Sequence, residues 1–302
     1  MDIFEEGSKM FNPTIRFIAL RACQRLSLAV RFLCLSLLIQ AATGIVHDHR
    51  SYAQSDIKIA SGVSYTVVAT GLSVPRGLLF TKSGDLYVAE ESSGEIAKIA
   101  RDGSVKKIAK GLSSPHDIAI DAKGNLYVAE TTANRVSRIT PEGKVTTYIT
   151  GLASPVDLDF NLKGELLVCE LGSGKVVAFK TPNKKRVVAS GLKGPHGLAF
   201  GKEGVTFIND AFGDKIVKVD NKGGMKTVAE VGRPIGLVLS KTGDLYVAER
   251  GFGRVSKLMP DGTRITLIEG LKDPRDPVLD DAGNLYVAES GQGRILKLTG
   301  KF

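Results

Sequence analysis

An all-β chain folded as a six-bladed β-propeller, with four antiparallel strands per blade, is what this sequence predicts, on three observations. First, a Gly-Leu-x-x-Pro element, worn in its fifth copy, recurs with its proline at Pro75, Pro115, Pro155, Pro195, Pro234 and Pro274, spaced 40, 40, 40, 39 and 40 residues apart. Units of that length stack to bury faces that none could bury alone. Second, one unit (Gly111–Thr150) holds four short apolar runs: Asp117–Ile120, Leu126–Ala129, Val136–Ile139 and Val145–Ile149. The segments between them (KGN, TTAN, PEG) carry hairpin-turn residues, so each unit reads as a blade of four strands. Third, the sixth unit stops at RILKLTGKF, one strand short, while SYTVVATGL (Ser64–Leu72) reads like the fourth-strand segment KRVVASGL (Lys185–Leu192). The N-terminal strand is therefore expected to complete the last blade and close the ring, which removes the open edge.

Taken in chain order, residues 1–53 read as a secretory signal peptide. Arg16, Arg21, Arg25 and Arg31 precede the apolar run Phe32–Val46, and Ser51 and Ala53 are small residues suited to cleavage. The 15-residue run falls short of the roughly 20 residues that span a bilayer as a helix. No stable membrane span is expected after cleavage, and the mature protein is expected to be secreted or periplasmic. Residues 54–63 form a lead-in, and 64–302 the propeller. The leader takes 6 of 41 basic and 4 of 32 acidic residues, which leaves a net charge of +7 spread along the chain. That mild excess suits anionic ligands and does not make a nucleic-acid signature. Cys23 and Cys34 leave with the leader, so Cys169 alone remains, with no intrachain disulfide and no cysteine metal site. A monomer is expected.

Each second strand ends in an acid: Glu90, Glu130, Glu170, Asp210, Glu249 and Glu289. A residue type that every blade carries serves the blade. Five residues on stand Arg135, Lys175, Lys215, Arg254 and Arg294, across the second hairpin, so five of the six read as ion pairs pinning that hairpin, worth about 0.2–1 kcal/mol each if exposed. Glu90 faces Glu95 instead, with Lys98 as the expected compensating cation, and becomes a candidate catalytic acid.

The position after each proline varies from blade to blade: Arg76, His116, Val156, His196, Ile235, Arg275. The next reads Gly77, Asp117, Asp157, Gly197, Gly236, Asp276. Both positions begin the innermost strand, at one mouth of the central channel, where varied polar side chains can build a site. His116 and His196 are the two histidines left after the leader, and both hold this one register. Neutral imidazole binds metal or moves protons near neutral pH, so they are candidate catalytic residues and metal ligands. Arg76 and Arg275 lie on adjacent blades of the closed ring and suit a carboxylate or phosphate. Asp117, Asp157 and Asp276 complete the candidate ligand-binding set, and pairing of the arginines with Asp117, Asp276 or Glu90 is the bland alternative.

The combination P-x-[GD]-[LI], GNLYVAE and NRVSRI resembles the NHL repeat and its relatives, the gluconolactonase-like and virginiamycin B lyase-like propellers, over residues 64–302. For the gluconolactonase-like proteins the resemblance implies metal ligands of Asn or Asp type in the post-proline register, where this chain has neither. For the lyase-like proteins it implies histidines in P-H-[AG]-I motifs on neighbouring blades, a glutamate two residues earlier, and magnesium. PHDI (Pro115–Ile118) and PHGL (Pro195–Leu198) are similar to that motif, two blades apart, with Ser114 and Gly194 where the glutamate would stand. The nucleophile elbow, the phosphate loop and the H-E-x-x-H motif are absent.

Two functions remain in view. One is an exported module that takes an anionic small molecule or a partner's loop at the channel mouth. The other is a hydrolase or lyase that uses a divalent metal such as magnesium or calcium, held by His116 and His196.

Overall fold

The computed structural model describes residues 57–81 and 83–302; the leader expected over residues 1–53 lies outside the described residues. Six four-stranded antiparallel sheets follow one another, each running outward from a proline-led inner strand. The second blade is typical, with strands Pro115–Ile120, Leu126–Glu130, Arg135–Ile139 and Val145–Ile149. The N-terminal strand Val63–Ala69 forms the outermost strand of the sixth blade, with Ser64 opposite Thr299 and Ala69 opposite Ile295. The closure expected from the sequence is therefore present. Lys58–Ile59, within the lead-in, adds a short fifth strand to the outer edge of the fifth blade.

Six apolar clusters fill the six interfaces between neighbouring blades. The LYVA segments supply both sides of these interfaces, so second strands are apolar on both faces and carry Val88, Val128, Val168, Val247 and Val287 fully out of solvent. Burial of this kind, at about 25 cal/mol per Å² of apolar surface, is the main force holding the ring together.

The connectors between blades are stapled at the mouth face. The backbone N–H of Leu112 donates to the Gly94 carbonyl in the second hairpin of the preceding blade at 3.0 Å, and Leu152, Leu192, Val231 and Leu271 repeat the bond. Leu72 makes the same bond to Gly293, so the closing junction is built like the other five. Just before the proline the backbone turns through the left-handed region at Val74, Ser114, Ser154, Arg233 and Asp273. That conformation is costly for a β-branched residue such as Val74, and the stapled connector holds it in place.

The repeated acid is the second half of this staple. All six are buried, at most 7% exposed, so the value expected for exposed pairs does not apply to them. Each accepts a backbone N–H from the connector ahead of its own blade: Ser73 to Glu90 (2.9 Å), Ser113 to Glu130 (2.7 Å), Ala153 to Glu170 (3.3 Å), Gly194 to Asp210 (2.7 Å), Gly232 to Glu249 (3.1 Å) and Lys272 to Glu289 (2.8 Å). The cross-hairpin cations close on Glu130 (2.8 Å), Glu249 (2.9 Å), Glu289 (2.5 Å) and, loosely, Asp210 (3.9 Å). Glu170 departs from the expectation: the Ser173 hydroxyl donates to it at 2.7 Å, and no ion pair joins it to Lys175 among the described residues. In the first blade Lys107, from the outermost strand, pairs with Glu90 and also reaches Glu95 at 3.3 Å. Lys98, the cation expected there, pairs instead with Asp85 at 2.8 Å.

Candidate functional site

The two post-proline positions face the axis because the inner strand bulges there. Pairing skips from Pro75 to Leu78, from Pro115 to Ile118 and from Pro274 to Pro277, and by one residue fewer on the other three blades. A bulge re-aims side chains that regular pairing would send to opposite faces of the sheet. The result is two stacked rings around one channel: Arg76, His116, Val156, His196, Ile235 and Arg275 in the first, and Gly77, Asp117, Asp157, Gly197, Gly236 and Asp276 in the second. Of the eight residues singled out from the sequence, seven line this channel. Glu90 does not, being engaged by Ser73 and Lys107 within its own blade.

In the first ring His116 and His196 meet edge to face, ring centroids 4.9 Å apart, although Val156 and a whole blade separate them in sequence. Burial holds His116 well below the ordinary imidazole range, helped by His196, Arg76 and Arg275. Burial and then Arg275 bring His196 down to about 3, so both rings are neutral at pH 7. Arg76 pairs with Glu91, and Arg275 with Asp273 at 2.7 Å, which also receives Arg250 at 2.5 Å. Neither acid was among the partners expected for the arginines. The Arg275 Nε is buried and has no hydrogen-bond partner, and burial beside Arg76 lowers this guanidinium to about 10.

The second ring is a joint between blades. Asp117 Oδ2 accepts the Leu158 N–H at 3.2 Å and Asp276 Oδ2 the Leu78 N–H at 3.1 Å, each reaching the next inner strand around the ring. The Leu198 N–H holds the corresponding place beside Asp157 and tempers the rise of its carboxyl. The glycines make room for these carboxyls: a Cβ on Gly77 would lie 2.1 Å from Asp117 Oδ1, and one on Gly236 would lie 2.8 Å from Asp276 Oδ1. Gly77→Ala is accordingly expected to cost about 3 kcal/mol or more, read as a lowered urea midpoint at unchanged slope; a loss under about 0.5 kcal/mol would show that the ring has slack. Burial raises all three carboxyls, and mutual repulsion adds to the rise at Asp117 and Asp157. Asp276 rises to about 7. Asp159, two residues beyond Asp157 and thus on the same side of its strand, adds to the repulsion.

One deeper residue escaped sequence reasoning. Asn209 is fully buried opposite Gly197, and both polar atoms of its amide lack partners. Its counterparts are Ala89, Ala129, Cys169, Ala248 and Ala288, so comparison of the repeats carried the signal.

The free space between the rings is about 10 Å³, room for a single water. An organic ligand can therefore present one polar atom to the ring while its body stays above the mouth. The donor set does not fit a divalent metal. Two imidazoles face each other with two guanidinium groups beside them, and no group of three His, Cys, Asp or Glu gathers around one point among the described residues.

Residues 112–139, most of the second blade and its connector, match the NHL repeat. No curated protein sequence matches the chain. Among solved structures the chain is similar to a virginiamycin B lyase from Staphylococcus aureus, at 17% identity and a TM-score of 0.63, over 80% of this chain and 99% of that one. It is also similar to a gluconolactonase from Xanthomonas campestris, at 16% identity and a TM-score of 0.71, over 80% of this chain and 91% of that one. At these identities the likeness is one of fold.

Proposed function

We propose that this propeller is an exported binding module that receives the acidic group of a small molecule at its channel mouth. The carrying observation is the buried, unpartnered Nε of Arg275, a charged donor left without an acceptor beside Arg76 and two neutral histidines. A buried donor without a partner costs about 1–3 kcal/mol, and an anionic oxygen at the mouth recovers it. Export rests on the basic and apolar pattern of residues 1–53.

Binding and protonation are linked in this reading. Arg76 and Arg275 help to keep His116 from protonating, so an anion that offsets their field raises its affinity for a proton. Anion affinity should then rise as pH falls from 7 towards 5. Sulfate, whose charge is constant over that range, is a suitable probe, read as stabilisation against heat. Arg76→Gln with Arg275→Gln should abolish the saturable part of that stabilisation and leave only the general salting effect. Equal sulfate responses in parent and variant would dismiss the assignment.

The solved neighbours are named as a lyase and a gluconolactonase, and catalysis on this fold is the second reading. Only the histidine pair favours it here, and metal-assisted chemistry lacks a converging donor set among the described residues.

A further inference from the structure

The second-hairpin turns surround the channel mouth, and four of them carry small or polar residues at their middle positions: Ser92–Ser93, Thr132–Ala133, Gly172–Ser173 and Gly291–Gln292. The fourth and fifth blades place phenylalanines there. Phe212 is 50% and Phe252 60% exposed. Each ring lies on a glycine of the connector ahead of its blade: a Cβ on Gly194 would lie 2.6 Å from Phe212, and one on Gly232 would lie 2.0 Å from Phe252. The two connectors that contain a glycine just before the proline-led strand are thus the two that carry a phenyl ring. A guanidinium accompanies each ring, Arg233 at 5.4 Å from the centroid of Phe212 and Arg254 at 4.6 Å from that of Phe252.

Charge follows the same sector. The connectors of the first three blades read Ser73–Val74, Ser113–Ser114 and Ala153–Ser154, whereas the later three bring Lys193, Arg233 and Lys272. These three are exposed, and none forms an ion pair among the described residues. Beside these connectors a groove of about 880 Å³ runs between the fourth and fifth blades, lined by Arg233, Lys215, Arg264 and Phe252 together with the acids Asp214 and Glu230, so the cations outnumber the acids three to two. That volume falls in the range of roughly 300–1,000 Å³ usual for binding pockets.

We infer that the rim of the fourth and fifth blades is a docking surface for an acidic segment of a partner protein that also carries apolar side chains. The uncompensated cations call for carboxylates, and the seated phenyl faces call for apolar groups set between them. A bilayer is the poorer match. The rings are seated against the connector glycines, and a planar surface leaves the groove unfilled. This surface is separate from the channel ring, and its occupant does not depend on the anion site.

The test is fluorescence anisotropy with a labelled synthetic peptide alternating aspartate and leucine, against a control with lysine in place of aspartate. The parent should bind the acidic peptide and not the basic one. Phe212→Thr with Phe252→Ser, which install residues found on other blades, should weaken binding at least about tenfold with the melting temperature retained. Should the double variant misfold, Arg233→Ser decides, because Ser114 and Ser154 already occupy that backbone conformation; it should weaken binding and flatten the salt dependence. Arg76→Gln with Arg275→Gln should bind the peptide as the parent does, which separates this surface from the channel. No binding at about 1 mM peptide, equal binding of both peptides, or variants that bind like the parent would overturn the inference. So would phenylalanine-dependent sedimentation with phosphatidylglycerol vesicles in the absence of peptide binding.

Discussion

Glu130→Ala is expected to cost about 3–5 kcal/mol, several times the value of a surface ion pair. Four donors converge on this carboxylate: the Ser113 N–H at 2.7 Å, both Nε and Nη2 of Arg135 at 2.8 Å, and the hydroxyl of Ser137. Alanine leaves all of them unanswered at a position with no solvent access. It also frees the connector that positions His116, three residues beyond Ser113, so disturbance at the channel should accompany the loss of stability. Glu130→Gln keeps one acceptor for Ser113 and should fall between parent and alanine variant. The check is urea unfolding of all three proteins at pH 7. A loss below about 1 kcal/mol for the alanine variant would return these acids to the surface-pair reading.

The contrast between those two magnitudes marks where the sequence stopped being legible. Repeat spacing, turn residues and the missing terminal strand were enough for the blades and their closure, because short apolar runs and glycine turns act locally. Pairing of Glu130 with Arg135 was legible too, since a four-residue turn sets the flanking residues opposite one another. The bond to Ser113 was not, because it spans a connector whose path depends on the left-handed backbone at Ser114. Blade one shows the same limit: sequence proximity pointed to Lys98, whereas strand register sets Lys107 opposite Ala97, from where it reaches Glu90. At the channel, one shared register after the prolines brought seven residues together correctly. What it could not supply was contact across the axis. His116 and His196 touch although a whole blade lies between their positions in sequence, and Arg76 turns to Glu91 within its own blade. Asn209 and the Phe212–Gly194 seat differ from their counterparts in the other repeats, but carry no charge or imidazole to mark them as site residues.

Asp276→Asn is expected to stabilise the protein above pH 7 by about 2–4 kcal/mol and to leave it near parental stability around pH 4. The sign follows from proton binding. The carboxyl titrates at about 7 when folded and near 3.8 ordinarily, so between those values the folded state holds a proton that the unfolded chain has released. The parent therefore loses stability as pH rises through that window, by about 1.4 kcal/mol per unit at most. Asparagine has no proton to lose, and its Oδ1 still accepts the Leu78 N–H. The parent's own profile is a poor test of this. His116 and His196, lowered in the folded state, cost stability as pH falls below about 6.5, and so oppose the trend set by Asp117, Asp157 and Asp276. The difference between variant and parent cancels the histidines, because the substitution leaves them in place. Melting temperatures of the two proteins should thus diverge steadily from pH 4 to pH 7 and run parallel above it. Curves parallel throughout would mean that Asp276 ionises as freely in the folded protein as in the unfolded chain, and that this carboxylate is charged beneath the arginines.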